Sequence, residues 1–246
     1  MRRAIKFIAV TAVVVISGAW VVHDGRPAQA ATDVLPNLHT RPLTHFRIEN
    51  VGGEKRLRFT TIIANKGPGT FEVRLNRPNT SQANMAVRQR VYNSEGLYRY
   101  VSADTHAFWG GDGHNHWHVK GLQRFRIYTS VNGNPATSKA SGAKIGFCFY
   151  DNTVYDLSRN GAPDSPRYRG CGTQRSLGIT TGISVGWADT YSWNLNRQWI
   201  KINGLPNGIY HVRVDTDPKN WFEETTRTDN TTWAKIRISG NTVTKL

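Results

Sequence analysis

The chain has 246 residues, with 32 Lys and Arg against 17 Asp and Glu for a formal net charge of +15, 11% aromatic residues and two cysteines. That length and aromatic content suit one large core or two closely packed sheets. The cationic residues stand singly with no dense basic run, which argues against a nucleic-acid partner and leaves anionic wall polymers or acidic proteins as the expected neighbours.

Residues 1–30 read as a targeting segment. Arg2, Arg3 and Lys6 precede an apolar run from Phe7 to Val22, and Ala28-Gln29-Ala30 offers a small-x-small cleavage site before Ala31. The apolar run is short for a span, so no stable membrane anchor is expected once the signal is removed. Its removal takes away Arg2, Arg3, Lys6 and Arg26 together with Asp24, which lowers the net charge by three, to +12. The expected location is secreted, extracellular or associated with the cell wall.

Residues 56–65 alternate Leu57, Phe59, Thr61 and Ile63 against Arg58 and Thr60 and end at Lys66-Gly67-Pro68-Gly69, the signature of a strand and a turn. Similar short segments follow at residues 71–75, 87–92, 97–101, 122–128, 144–150, 198–202, 209–215 and 232–238. No long helical periodicity is present. The pattern predicts an all-β chain, an antiparallel β-sandwich with long site-bearing loops. Residues 31–105 are expected either to complete the sandwich or to form an accessory module, and residues 106–246 to hold the functional region. The stretch 151–193 reads as the main irregular segment, which a compact domain tolerates when it is pinned or functional. Cys148 and Cys171 are the two cysteines of an exported chain, and the simplest expectation is that they form a disulfide.

Half of the eight histidines lie between His106 and His118, and three of them alternate with other residues: His114, His116 and His118. In extended backbone the two-residue period sends these imidazoles to one face and Asn115 and Trp117 to the other. A straight strand would hold the first and third Cα about 13 Å apart, too far for rings sharing one ion at about 2.0 Å. The backbone must therefore bend, and Gly110, Gly111 and Gly113 supply the freedom. Three neutral imidazoles suit copper, zinc, iron or nickel equally by ligand type.

Several blocks make the chain resemble the lysyl oxidase family. His-x-His-x-His corresponds to His114, His116 and His118. Gly-x-Lys-x-x-Phe-Cys-x-x-Asp corresponds to Gly142, Lys144, Phe147, Cys148 and Asp151. A third block covers Gly182-Ile183-Ser184, Gly186, Asp189-Thr190-Tyr191 and Gln198-Trp199-Ile200. Pro206, Gly208, Tyr210, Val212 and Val214 continue it, and Thr228-Asp229-Asn230 resembles the family's closing turn. The resemblance implies copper(II) on the three histidines and a lysyl tyrosylquinone cofactor formed from Lys144 and Tyr191. It also implies oxidative deamination of lysine side chains in extracellular proteins or peptides, with dioxygen as co-substrate and ammonia and hydrogen peroxide released. The +12 charge favours lysines in an acidic context. The family's carboxylates after the histidine triplet are missing here, where Val119-Lys120-Gly121 follows, so Asp189 and Asp112 become the candidates for a catalytic base. The reading from another class is a non-catalytic extracellular β-sandwich that binds copper or zinc through the triplet.

Overall fold

The computed structural model describes residues 31–110, 114–133 and 138–246. The targeting segment and Asp112 lie outside the described residues. In chain order the strands are β1 (Asp33–Val34), β2 (Leu38–Thr40), β3 (Thr44–Val51), β4 (Glu54–Asn65), β5 (Phe71–Asn76), β6 (Asn84–Asn93), β7 (Tyr98–Trp109), β8 (Trp117–Lys120) and β9 (Gln123–Tyr128). They continue with β10 (Ala140–Ser141), β11 (Gly146–Phe147), β12 (Thr153–Val154), β13 (Gly178–Ile183), β14 (Trp187–Tyr191), β15 (Trp199–Lys201), β16 (Gly208–Thr216), β17 (Thr231–Ser239) and β18 (Thr242–Lys245). Among the described residues no helix is long and apolar enough to cross a membrane. The all-β, antiparallel expectation holds.

The strands form three sheets. One is ordered β11-β8-β7-β6-β5-β13 with β1 on β6, the second β10-β9-β16-β17-β18, and the third is built on β4. β4 pairs with β2 and β3 along one edge and with β14 and β15 along the other. Its length explains this central place, because successive parts of one face meet different clusters. Ile63 joins a first apolar cluster with Phe71, Val73, Trp117, Phe147 and Tyr191, whereas Leu57 and Phe59 pack into a second with Phe125, Ile200, Val212 and Ile236. Burying each large apolar side chain of these clusters stabilises the fold by roughly 1.5–3 kcal/mol. Edge-to-face contacts of Phe71 with Phe149 and Phe222, at centroid distances of 5.3 and 5.1 Å, tighten the first.

Two sequence expectations are corrected. The stretch 151–193 holds two well-paired strands: β13 pairs with β5 from Gly178↔Asn76 to Ile183↔Phe71, and β14 pairs with β4 from Ala188↔Ala64 to Tyr191↔Thr61. Their Gly, Thr and Asp residues hid them, because Thr181, Gly182 and Asp189 are buried among apolar neighbours and blur the alternation. The segment 144–150 is strand only at Gly146–Phe147. Residue 105 lies within β7, and residues 31–246 form one compact unit.

The irregular part of 151–193 is pinned by Asp151, which is 3% exposed. Its carboxylate accepts the N–H groups of Arg167 at 2.9 Å, Tyr168 at 3.2 Å and Ser184 at 2.8 Å, and the Ser184 hydroxyl at 2.8 Å. The Cys148–Cys171 disulfide, with Cα atoms 5.8 Å apart, closes the same region.

Candidate metal centre

The three histidines stand where β7 returns into β8. The bend that their spacing demands is a tight turn: the His116 N–H donates to the His114 carbonyl at 2.9 Å, and the Gly110 N–H to the His116 carbonyl at 3.0 Å. After it, the Trp117 N–H donates to the Cys171 carbonyl, which ties the loop to the disulfide. Trp117 points inward, 1% exposed, with its indole N–H donating to the Thr173 carbonyl at 2.8 Å. Glycines make room for His118. A Cβ at Gly110 would come within 2.5 Å of the His118 ring, and one at Gly146 within 2.8 Å of the His118 Cβ, so side chains at either position would displace the imidazole.

One ligand nitrogen from each of His114, His116 and His118 lies within 4.8 Å of the others. Two nitrogens bonded to one ion at 2.0–2.1 Å stand at most about 4.2 Å apart, so the widest pair needs to close by only about 0.6 Å. A small rotation of the half-buried His114 and His116 rings towards the buried His118 supplies that. The donor set and its spacing therefore fit a single transition-metal ion with positions left open for other ligands.

Lys144 and Tyr191, 47 positions apart, meet beside this cluster. β11 pairs with β8 through Phe147↔Val119, which sets Lys144 just ahead of the strand next to the histidines, and β14 delivers Tyr191 from the other sheet. The Lys144 Nζ lies over the Tyr191 ring, 4.8 Å from its centroid, and 5.0 Å from that of Phe147. The histidines, Lys144, Cys148, Tyr150, Asp189, Tyr191 and Leu195 border one cavity of about 120 Å³. A second, of about 370 Å³, opens from His114, His118 and Lys144 past Phe108, Trp109, Asn196 and Arg197.

Burial sets the chemistry of the acidic groups. Asp189 is 1% exposed, and this pushes its carboxyl up to about 8 against the opposing influence of Tyr191, Lys144 and Asn152. Its Oδ1 accepts from Asn152 Nδ2 at 2.8 Å, while Oδ2 has no hydrogen-bond partner among the described residues. The Tyr191 hydroxyl stands beside Asp189 but directs its single proton to the Cys148 carbonyl at 2.9 Å, so it cannot serve Oδ2 as well. Burial first, and the Asp189 charge second, raise the phenol well above its usual range, so Tyr191 is neutral in the resting protein.

The structure thus brings His114, His116, His118, Lys144, Asp189 and Tyr191 to one place. Sequence reading missed Asn152, which holds Asp189, and Asn196 and Arg197 at the cavity mouth. Arg197 adopts a left-handed backbone with φ 59°, a feature that no residue pattern announces.

Comparison with known proteins agrees with the blocks read from the sequence. The sequence model of the lysyl oxidase family matches residues 76–246. Protein-lysine 6-oxidase of Homo sapiens is 29% identical over 127 residues, 51% of this chain and 27% of that protein. Lysyl oxidase homolog 1 of Homo sapiens is 29% identical over 128 residues, 52% of this chain and 20% of the relative. Lysyl oxidase homolog 2 of Xenopus tropicalis is 24% identical over 204 residues, 83% of this chain and 20% of the relative. The matches span between a fifth and just over a quarter of these relatives' lengths.

Proposed function

The chain belongs to the lysyl oxidase family, and from that premise we propose that it is an exported copper amine oxidase that converts lysine side chains to aldehydes. The observation that carries the reading is the approach of the Lys144 Nζ to 4.8 Å from the Tyr191 ring centroid beside three convergent histidines. Copper bound to His114, His116 and His118, with dioxygen, would supply the oxidation of the Tyr191 phenol and so the carbonyl cofactor, lysyl tyrosylquinone, on which primary amines are oxidised.

Every other part of the proposal concerns the protein's own groups. The Cys148 carbonyl holds the Tyr191 hydroxyl, and Phe147, packed edge-on at a centroid distance of 5.4 Å, fixes the ring plane. Lys144, 8% exposed, is kept with its Nζ against that ring, so only a short movement separates it from attack on the oxidised phenol. An amine adds to a ring carbon only when unprotonated, which guanidinium never is. Asp189 is the buried carboxyl next to the reacting ring and is suited to take a proton from the substrate carbon once it is ionised. The wider cavity bordered by Phe108, Trp109 and Arg197 admits the four-carbon stem of a lysine towards Lys144 and the histidines. The substrates proposed are lysines of extracellular proteins or peptides in an acidic context, drawn by the basic surface.

Intact mass before and after copper loading in air, with a visible spectrum read before and after a hydrazine, tests the proposal. A mass change confined to a cross-linked fragment joining Lys144 to Tyr191, with a hydrazine-shifted absorbance, is expected. A colourless, copper-replete protein of unchanged mass would leave a metal-binding β-sandwich as its function.

A further inference from the structure

Phe108 and Trp109 form a wall with a cavity on each side. One is the histidine-lined space of about 370 Å³, and the other, of about 620 Å³, is bordered by Arg77, Arg175, Trp117 and Asn84, with no acidic side chain on its lining among the described residues. Trp117 sits between His116 and His118 in sequence, so this second cavity adjoins the metal ligands.

Its charge is fixed. Arg77 is 6% exposed, and four of its N–H groups go to carbonyl oxygens: Ser176 at 3.0 Å, Thr80 at 3.3 Å, Gln82 at 2.8 Å and Gln174. Its guanidinium lies over the Trp117 ring, 4.6 Å from the centroid. Carbonyls satisfy hydrogen bonds but cancel no net charge, so a buried cation borders the cavity with no carboxylate paired to it among the described residues. Arg175 stands between Gln174 and Ser176, the two residues whose carbonyls grip Arg77. Its short turn is closed by Ser176 N–H to the Thr173 carbonyl at 3.0 Å and by Thr173 N–H to the Ser176 hydroxyl at 3.0 Å. Among the described residues the exposed Arg175 guanidinium makes no ion pair with a carboxylate, yet the residues on either side of it are held by the buried arginine and, four residues back, the chain is held by the disulfide.

We propose that this cavity is an anion subsite that binds the carboxylate of an Asp or Glu close to the target lysine, with Arg175 as the direct contact and Arg77 as the fixed field behind it. The proposal rests on the amine-oxidase reading. In an extended peptide, residues two apart face the same side about 7 Å apart, which lets a lysine enter one cavity while a glutamate two positions away enters its neighbour across the Phe108–Trp109 wall. The half-buried Phe108 and Trp109 rings suit the peptide's apolar stems.

The test uses the copper-loaded, full-length mature protein as wild type, Arg175→Glu and Arg175→Ala. Substrates are matched peptides in which the lysine is flanked by Glu or by Gln at two positions' distance, and a short alkylamine. Hydrogen peroxide release gives kcat and KM, and anisotropy of the labelled Glu peptide with norleucine in place of lysine gives binding without turnover. Arg175→Glu should raise KM for the Glu peptide on the order of tenfold at low salt, leave the Gln peptide and the alkylamine unchanged, and lose its effect at high salt. Arg175→Ala should fall between. Equal KM values for the Glu and Gln peptides in the wild type, or a Glu-peptide KM unmoved by Arg175→Glu, would overturn the subsite. If no amine is oxidised, the anisotropy decides separately: binding lost in Arg175→Glu upholds the subsite while the oxidase reading fails, and binding unchanged removes the subsite.

Discussion

The two apolar cores of the molecule are built from the same residue types and treat their nearest acidic groups differently. Around the second core, the carboxylates that come near it are closed off. Asp215 takes ion pairs from Arg124 at 3.2 Å and Arg213 at 2.6 Å and a hydroxyl from Thr231 at 2.8 Å, and Arg58 meets Glu49 at 2.6 Å and two backbone carbonyls. The first core is bordered by Lys144, Asp189 and Tyr191, where an aspartate oxygen is buried without a partner and a phenol gives its only proton to a carbonyl. Leaving a buried polar atom unsatisfied costs about 1–3 kcal/mol, and folding offers no return for that cost at Asp189. The comparison teaches that the first core carries function at the expense of stability, and the second supplies the stability.

The largest expected effect separates the cores by activity. Tyr191→Phe removes the oxidisable oxygen, and Lys144→Arg removes an amine able to add to the ring. Either should lower amine turnover by on the order of 10³-fold or more, with copper content unchanged by metal analysis. Tyr191→Phe should cost only about 1 kcal/mol of stability, the worth of one hydrogen bond. Turnover retained in either purified variant removes the cofactor assignment.

The converse substitution is in the second core. Phe59 is fully buried against Phe46 and Phe125, at centroid distances of 5.6 and 5.1 Å. Phe59→Ala should lower unfolding stability by about 3–5 kcal/mol while kcat per folded molecule stays unchanged. A fall in kcat without loss of stability would mean that the division between cores is false.

Removing the Cys148–Cys171 disulfide by a double serine substitution tests how far the first core depends on its covalent tie. The sequence separation of 23 predicts a loss of about 3 kcal/mol by loop entropy. Because Cys148 also offers the carbonyl that holds Tyr191, some loss of quinone yield should accompany it, read as hydrazine-reactive absorbance per protein.

The smallest effect concerns pH. With the Asp189 carboxyl pushed up to about 8, the group is protonated at neutral pH, and its ionised fraction grows about tenfold per unit until that value is passed. If Asp189 is the base, kcat should climb with pH through about 8 and then level, and Asp189→Asn should abolish the rise. The stability sign is opposite: a carboxyl raised in the folded state holds a proton that the unfolded chain has lost, so stability declines as pH rises from about 4 to about 8. Asp189→Asn should flatten that decline in denaturant midpoints measured at pH 5, 7 and 9.

Residue order alone determined the strands whose faces differ, such as residues 56–65 in β4 and 209–215 in β16, because alternation records one face against another. It also determined that the histidine triplet must bend, since chain length between alternate Cα atoms is fixed by covalent geometry. Strands β13 and β14 left no such record: polar Thr181 and Asp189 are buried on them beside Ile179, Ile183, Trp187 and Tyr191, so their faces do not separate by residue type. The approach of Lys144 to Tyr191, the unpartnered Asp189 oxygen and the two arginines beside the Phe108–Trp109 wall were decided only by tertiary structure. Each joins residues from separate strands or loops, and their charge states depend on burial and neighbours, which are properties of three-dimensional surroundings and have no counterpart along the chain.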